Sequence, residues 1–534
     1  MSTLRERLRP GAGDGRAGQP ESADGQPAGE RAAGLSGRLR QVVSRNRLFT
    51  AALALAVLPR LVVILGYRPA ILFRLDTYDY LWNAVHVSPN PVNPSGYALF
   101  LALLRPVHSL MLAAVLQHVM GLAMAVMVYA VLRNRGVRNW IAVIATLPVL
   151  FDPAELMLEH LIMADILALF LMMAAFTVLL LRRSPSVWRT VTAGVLMGAS
   201  AIVRPTALPL IVLLAVYLLV VHAGWRKAVA VLAAGAVPVV AYMLWFSSAY
   251  GSFNLTNSNG LFLWSRTMSF ANCSVIKPPA NLQALCPTAQ PGILAQPVPA
   301  KRLPPKVYLW AKHAWQWQGN ANRLIPDIAA FTAANNSRAM SFAIKAIEAQ
   351  PLAYARTVAS ETAKPFTEGH HYQWAFPVSP INPGLSSRDQ RYAVAAIQNY
   401  TGDASQVRGH LGFRYGAQVT QPWARIMGVY QRLIFVPGPV FGLVMLMGLA
   451  GLFIRRRRTA AAALLWISAA IALVLPIAEH EYTYRYVIPA VPLVFMAAAL
   501  ALRDPAEDKG APDEQSQGGD VPAISGAPAD GARG

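Results

Sequence analysis

Charged side chains are scarce. They make up 14% of the 534 residues, where a soluble globule carries roughly a quarter. That deficit excludes an ordinary water-soluble domain, because long Ala, Leu, Val and Met runs fill the gap. Internal repeats are lacking, which counts against a transporter built from paired halves. No small-residue cleavage site follows the first apolar run, and the tail before it is too long and mixed for a signal-peptide n-region. A cleaved signal is therefore not expected. Acidic residues are few, 26 against 47 Lys and Arg, for a formal charge of +21. The excess invites a nucleic-acid partner. It is excluded because much of the Arg sits in short clusters between apolar runs, as the positive-inside rule expects. Membrane lipid is the partner that such clusters favour, through anionic headgroups.

What is present in abundance is apolar sequence, 55% of the chain. A transmembrane helix needs about 20 mostly apolar residues. Backbone groups in lipid must pair within their own segment, so these runs are predicted helices. About ten spans are expected, near 48–66, 108–132, 139–152, 160–181, 190–203, 205–222, 228–247, 433–454, 459–478 and 486–502. The fold class predicted is an all-α polytopic membrane protein with a mixed extracytoplasmic domain.

Basic clusters set the expected orientation in the cell membrane. Arg133, Arg135 and Arg138 follow the second run, Arg182, Arg183 and Arg189 the fourth, Arg226 and Lys227 the sixth, and Arg455 to Arg458 the eighth. All fall on one side, together with the Arg-rich start of the chain, and that side is the cytoplasm. The expected organisation is a disordered cytoplasmic tail over 1–47, a transmembrane catalytic module over 48–247 with an outer loop at 67–107, an extracytoplasmic domain over 248–432, transmembrane helices over 433–502, and a second disordered cytoplasmic tail over 503–534. A stretch near 152–160 is also expected to face outward. The 248–432 region is too polar to be membrane and too long for a mere connection.

The only two cysteines, Cys273 and Cys286, both lie in that region. An oxidising compartment permits a disulfide between them, worth about 3 kcal/mol in the chain-entropy model. Two free thiols are the alternative.

The first outer loop reads Arg74-Leu75-Asp76-Thr77-Tyr78-Asp79-Tyr80, then Asn93-Pro94-Ser95-Gly96-Tyr97. Asp76 and Asp79 stand three residues apart among aromatics, and on a helical turn they share one face. A carboxylate in such surroundings suits proton transfer. An interfacial turn with solvated acids explains the same residues. Arg204 and Arg485 sit at predicted outer membrane edges, where an unpaired charge is costly and usually functional. Snorkelling, or pairing with Glu479 or Glu481, is their structural alternative. Glu368, His370 and His371 lack zinc-like spacing and read as polar loop surface. Trp310, Trp315 and Trp317 read as packing residues.

Asp76, Tyr80 and Ala84, followed by Pro94 and Gly96-Tyr97, resemble the first outer loop of the GT-C glycosyltransferases, in particular the bacterial protein-mannosyltransferase-like, phospholipid-carrier-dependent branch. Three further stretches are similar to that family. They are Asp152-Pro153 through Glu155 and Glu159, the Arg204-Pro205 step, and Glu481-Tyr482-Thr483-Tyr484-Arg485-Tyr486 ahead of Pro489 and Pro492. The resemblance covers roughly 45–250 and 433–502, and leaves the 248–432 region unmatched.

The resemblance implies a GT-C-like bundle and a transfer, in inverting fashion, of a hexosyl or pentosyl group. The donor implied is a polyprenyl-phosphate sugar, and the acceptor an extracytoplasmic protein, glycan or lipid. Asp76 matches the family's general base, or its metal or acceptor contact. Thr77 stands where a second acid often lies, so a two-acid reading recruits Asp79. That departure leaves a divalent metal open and no metal ligands assigned. Arg485 and Arg204 are the candidates for the leaving phosphate, since the guanidinium fork suits phosphate and cations there stabilise developing charge. Arg60 and Arg74 are weaker candidates for the same task. Tyr80, Glu159 and His480 complete the substrate-binding set. The competing functions are a transporter or lipid flippase of the cell envelope, and a non-catalytic envelope scaffold. The presence of Asp76 speaks against the scaffold.

Overall fold

The computed structural model of the chain describes residues 44–182, 184–287, 304–310, 331–367, 375–379, 387–403, 405, 417–454 and 459–503, without the side chains of 74, 75 and 387–389. Both expected tails, Arg183, Arg455 to Arg458, the Glu368–His371 stretch, Trp315 and Trp317 lie outside the described residues, apart from 44–47 and 503 at the tails' inner ends. Two compact units divide the chain, Met1–Thr50 and Ala51–Gly534. Every element of the candidate site lies in the second.

Helices predominate among the described residues of the first half of the chain. In order come α1 (Arg47–Gly66), α2 (Arg74–His86), α3 (Gly96–Leu104), α4 (Leu110–Asn134), α5 (Asn139–Phe151), α6 (Pro153–His160), α7 (Asp165–Leu180), α8 (Val187–Val203), α9 (Leu208–Val220) and α10 (Trp225–Tyr250). Local sequence explains several ends. Ser109 opens α4 by accepting from the Leu112 amide at 3.2 Å, a standard N-cap. Asp152 does the same for α6, accepting from Ala154 N at 2.9 Å. Helix α8 stops at Arg204 because the next residue is Pro205. A residue before proline is pushed out of the helical region, and Arg204 is extended, at φ −142° and ψ 117°.

Small residues let α8 and α10 approach closely. A Cβ on Gly198 would collide with the carbonyl oxygen of Gly235. Such small-residue contacts are the usual membrane substitute for a hydrophobic driving force.

The 248–432 region contributes α11 (Asn259–Thr267), α12 (Pro305–Trp310), α13 (Ala333–Ala349), α14 (Pro351–Thr367) and α15 (Ser387–Thr401), and most of α16 (Trp423–Leu433). Apart from short turns, the only strand among its described residues is the two-residue β2 (Gln418–Val419). It pairs antiparallel with β1 (Tyr67–Arg68), which follows α1. The described part is thus helical where a mixed domain is expected. Trp264, Leu285, Phe331 and Phe342 form its core with Val92 of the 67–107 loop. Trp310 packs near Phe331, ring centroids 6.0 Å apart, and keeps its outer face exposed. Cys273 and Cys286 are joined as a disulfide, Cα atoms 6.1 Å apart. The chain returns through α17 (Gly438–Phe453) and α18 (Ala460–Glu479). Two 3₁₀ turns at Tyr484–Tyr486 and Ile488–Ala490 then lead into α19 (Val491–Ala501).

Five helical segments among the described residues are long and apolar enough to cross a bilayer: α1, α4, α10, α18 and Tyr484–Ala501. The count is up to seven if the bent pairs α5–α6 and α16–α17 are each one span. The other three expected spans correspond to shorter apolar helices. Helices α7, α8 and α9 have 16, 17 and 13 residues. At about 1.5 Å per residue they fall short of a hydrocarbon layer of about 30 Å. The bend of 50° at Asp152–Pro153 likewise splits one apolar run. The stretch near 152–160, expected at an outer surface, is helix α6, and all eight of its residues are buried.

Candidate active site

Asp76 and Arg485 come together. Asp76 lies in the first turn of α2, where the helix dipole favours a negative charge. Arg485 sits in the 3₁₀ turn ahead of α19. Its Nη1 is 3.5 Å from Asp76 Oδ2, with side-chain exposures of 15% and 30%. The pair is therefore reachable and loosely held, since charge-assisted bonds close to about 2.7–2.9 Å when fully formed. The guanidinium also lies over the rings of Phe73 and Tyr486, at 5.7 and 5.1 Å, and Nη2 donates to the Tyr486 hydroxyl at 3.2 Å.

Arg204 is the second cation of the same cluster. It faces the Tyr486 ring at 5.8 Å and donates through Nη2 to Asp165 Oδ2 at 2.6 Å. Asp165 opens α7 and is only 3% exposed. The two ion pairs thus share one tyrosine and differ in tightness. Asp165 is committed to Arg204, while Asp76 remains available. Arg204 Nε is buried without a hydrogen-bond partner. A groove leaves this point between α7, α9 and α18, lined by Leu169, Met172, Leu210, Ala472 and Pro476. Sequence reasoning passed over Asp165 and Tyr486. The available signal was an acid in the first turn of an apolar helix, which is expensive there and seldom idle.

Tyr80 belongs beside this cluster. It is buried and packs edge-on against Tyr97 at 5.0 Å. Burial raises its hydroxyl pKa; Arg204 and Arg485 pull it down, and Asp76 and Asp165 push it up, so all four charges lie within electrostatic reach.

The other sequence candidates stand elsewhere. Asp79 is buried and accepts from the Tyr392 hydroxyl of α15 at 2.8 Å, so it fastens α2 to α15. A helix turns about 100° per residue, and here the i, i+3 pair divides between two neighbours. Glu159 is fully buried and both carboxylate oxygens are taken. Oε1 pairs with Arg60 Nη2 at 2.6 Å and Oε2 with His118 Nδ1 at 2.7 Å. These bonds make it an internal anchor of the bundle. Its partner Arg60 also donates through Nη1 to the Ala56 and Leu150 carbonyls at 2.9 Å. Gly121 makes room for Glu159, because any Cβ there would overlap Oε1. From His118 the chain of bonds continues to His160 Nδ1 at 3.1 Å, and from His160 Nε2 to the Tyr67 carbonyl at 2.6 Å.

This buried network holds the backbone that carries Asp76. Ile71 N donates to the His160 carbonyl, and Ile162 N to the Ile71 carbonyl, each at 3.1 Å. Thr77 Oγ1 donates to the Ile162 carbonyl at 3.0 Å and accepts from Phe73 N at 2.8 Å. Thr77, which stands where the resembled family often has an acid, is thereby a tie between α2 and the strand-like 161–163 segment.

His480 accepts or donates at Nδ1 with Ser265 Oγ, 3.0 Å away, and stands edge-on to Phe262 at 4.9 Å. Burial pushes its pKa down to about 3, helped by Arg485, Arg266 and Lys306. It is a neutral ring that contacts α11. Its neighbour Glu481 is raised by burial and partly restored by Lys306. Among the described residues no three His, Cys, Asp or Glu side chains gather as a metal group. Asp76 and Asp165 each face a guanidinium, a poor setting for a divalent cation.

The apolar helices make this a multi-pass membrane protein. Residues 92–318 match the model of glycosyltransferase family 87, over fewer than half of the 534 residues. Among solved structures, the Saccharomyces cerevisiae protein O-mannosyltransferase Pmt1-Pmt2 complex bound to the sugar donor is similar at 18% identity, over 42% of this chain and 36% of that one, TM-score 0.33. The Archaeoglobus fulgidus oligosaccharyltransferase in the apo form is similar at 14% identity, over 85% and 50%, TM-score 0.35. Archaeal oligosaccharyltransferase AglB from the same organism, in complex with an inhibitory peptide and a dolichol-phosphate, gives 12% identity over 86% and 50%, TM-score 0.33. This chain spans half or less of each of those chains. At these scores the three superpositions carry no weight for residue roles. No curated protein matches the chain.

Proposed function

We propose that the protein transfers a sugar from a polyprenyl-phosphate carrier to an acceptor hydroxyl on the extracytoplasmic side of the membrane. The observation that carries the reading is the exposed, loosely paired Asp76 carboxylate 3.5 Å from the Arg485 guanidinium. Base and phosphate-binding cation stand side by side, as a displacement at a sugar phosphate requires. The family 87 match supports the same class.

In the proposed step, Asp76 takes the proton of the acceptor hydroxyl. The acceptor oxygen bonds to the anomeric carbon. The bond from that carbon to the phosphate oxygen breaks, and its electron pair leaves with the lipid phosphate. Arg485 bears the charge that gathers on the phosphate, with Arg204 behind it. A single displacement of this kind inverts the anomeric centre. The proposed topology places both termini in the cytoplasm and the 248–432 region outside.

The test is a transfer assay with purified protein and radiolabelled polyprenyl-phosphate sugars, hexosyl and pentosyl, followed through appearance of free polyprenyl phosphate. Release with any donor in the panel, dependent on Asp76, supports the reading. No turnover of any donor by folded protein would count against it.

A further inference from the structure

The last turn of α18 and the loop from it to Arg485 are held from one side by helices of the 248–432 region. The Tyr354 hydroxyl of α14 donates to the Ala478 carbonyl at 3.1 Å. Ser265 of α11 bonds His480. Lys306 N of α12 reaches Glu481 Oε2 at 3.5 Å. The strongest hold is at Tyr482. Its backbone N–H donates to Glu361 Oε2 at 2.9 Å, and the same oxygen accepts from Arg266 Nη1 at 2.8 Å. Lys364 lies over the Tyr482 ring at 5.6 Å. Arg485 follows three residues later.

Arg266 is an unusual investment. Its side chain is fully buried, and Nε and Nη2 have no hydrogen-bond partner. A buried ion pair is a poor source of stability and is often outperformed by apolar residues of similar volume. Orphaned buried donors in a native structure call for an explanation. The explanation that the geometry offers is position. Arg266, with Lys364 Nζ 3.8 Å from Oε1, holds the Glu361 carboxylate where it receives the Tyr482 amide.

We propose that Arg266 and Glu361 are positioning residues that set Arg485 against Asp76 through the backbone of Tyr482. The 248–432 region is then a working part of the active site, although none of its described side chains is placed at the reacting atoms. The inference rests on the proposed reading of Arg485 as the phosphate-binding group.

The test uses the full-length protein and two paired variants. Removing either partner alone leaves a buried charge uncompensated and endangers folding. Arg266→Met with Glu361→Leu removes both charges and the acceptor for Tyr482 N. Arg266→Met with Glu361→Gln removes both charges and keeps an oxygen in place. Two readouts are taken: amide hydrogen exchange of the 478–486 segment, and donor KM and kcat. The Leu pair should exchange faster across 478–486 and show kcat/KM lower by about tenfold to a hundredfold, with the loss mainly in donor KM. The Gln pair should restore both readouts toward wild type. Unchanged exchange in a folded Leu pair overturns the clamp. Faster exchange with wild-type donor KM overturns its effect on Arg485. Failure of wild-type protein to use any polyprenyl-phosphate donor faults the glycosyltransferase reading instead, and exchange still decides the clamp.

Discussion

Asp76 and Arg485 lie 409 positions apart in the chain and meet at 3.5 Å, one at the start of α2 and the other ahead of α19. Deeper in the cluster, Asp165 and Arg204 meet at 2.6 Å. The tight pair neutralises one guanidinium with a buried carboxylate, and the loose pair leaves a second carboxylate open to solvent.

Removing the basic oxygen of Asp76 should therefore cost chemistry more than binding. Asp76→Asn is expected to lower kcat by on the order of a hundredfold to ten-thousandfold, with donor affinity nearly intact. Asp79→Asn is expected to act differently, by weakening the 2.8 Å bond from Tyr392 that ties α2 to α15. Its effect should appear in the thermal midpoint. If Asp79→Asn abolished turnover in a stable protein while Asp76→Asn did not, the base would move one turn along α2.

Arg485→Ala should weaken the donor complex as well as turnover, because the phosphate is charged before and after transfer. Isothermal binding of a non-transferable polyprenyl phosphate would show it. Arg204→Ala is expected to be harsher on folding, since it strands the buried Asp165 carboxylate. Wild-type phosphate binding by folded Arg485→Ala would remove that residue from the site.

Glu159→Ala separates an anchor from a substrate contact. It leaves Arg60 buried without its carboxylate, which should cost about 3–5 kcal/mol of stability. Denaturant or thermal unfolding in detergent would measure it. Gly121→Ala should reproduce part of that loss by crowding Glu159. Full stability of Glu159→Ala with poorer donor binding would return the residue to the substrate list.

The neutral His480 makes stability depend on pH. Its folded pKa of about 3 lies below the ordinary 6.5, so the unfolded chain binds the extra proton between those values. The contribution is fully present above about pH 6.5 and declines as pH falls toward 3. Lowering pH from 7.5 to 5 should reduce the thermal midpoint of wild type more than that of His480→Gln. Equal losses would mean that the ring is not buried neutral.

Cysteine state and topology test the sidedness of the 248–432 region together. Mass analysis of unreduced peptides should find Cys273 joined to Cys286, and Cys273→Ser with Cys286→Ser should cost about 3 kcal/mol of stability. Reporters active only outside the cytoplasm should work when fused after Ser252 and fail after Arg458. The reverse pattern, or full alkylation of both thiols without reductant, would invert the proposed topology.

Sequence alone determined the helices, the membrane and the short list of charges. Lipid leaves a backbone no partner outside its own segment, so apolar runs announce helices without any knowledge of neighbours. Charges at the ends of such runs are expensive, which singles out Asp76, Arg204 and Arg485. Tertiary structure decided what each charge faces. Asp79 finds Tyr392, Glu159 finds Arg60 and His118, and Asp165 finds Arg204, all across separations that no periodicity encodes. It also showed where apolar runs bend or stop short, at a proline bend or after a helix of 13 residues, which apolar composition does not reveal. A buried polar side chain must find a partner wherever packing brings one within about 3 Å, and that choice is made by the folded surfaces rather than by the local run of residues.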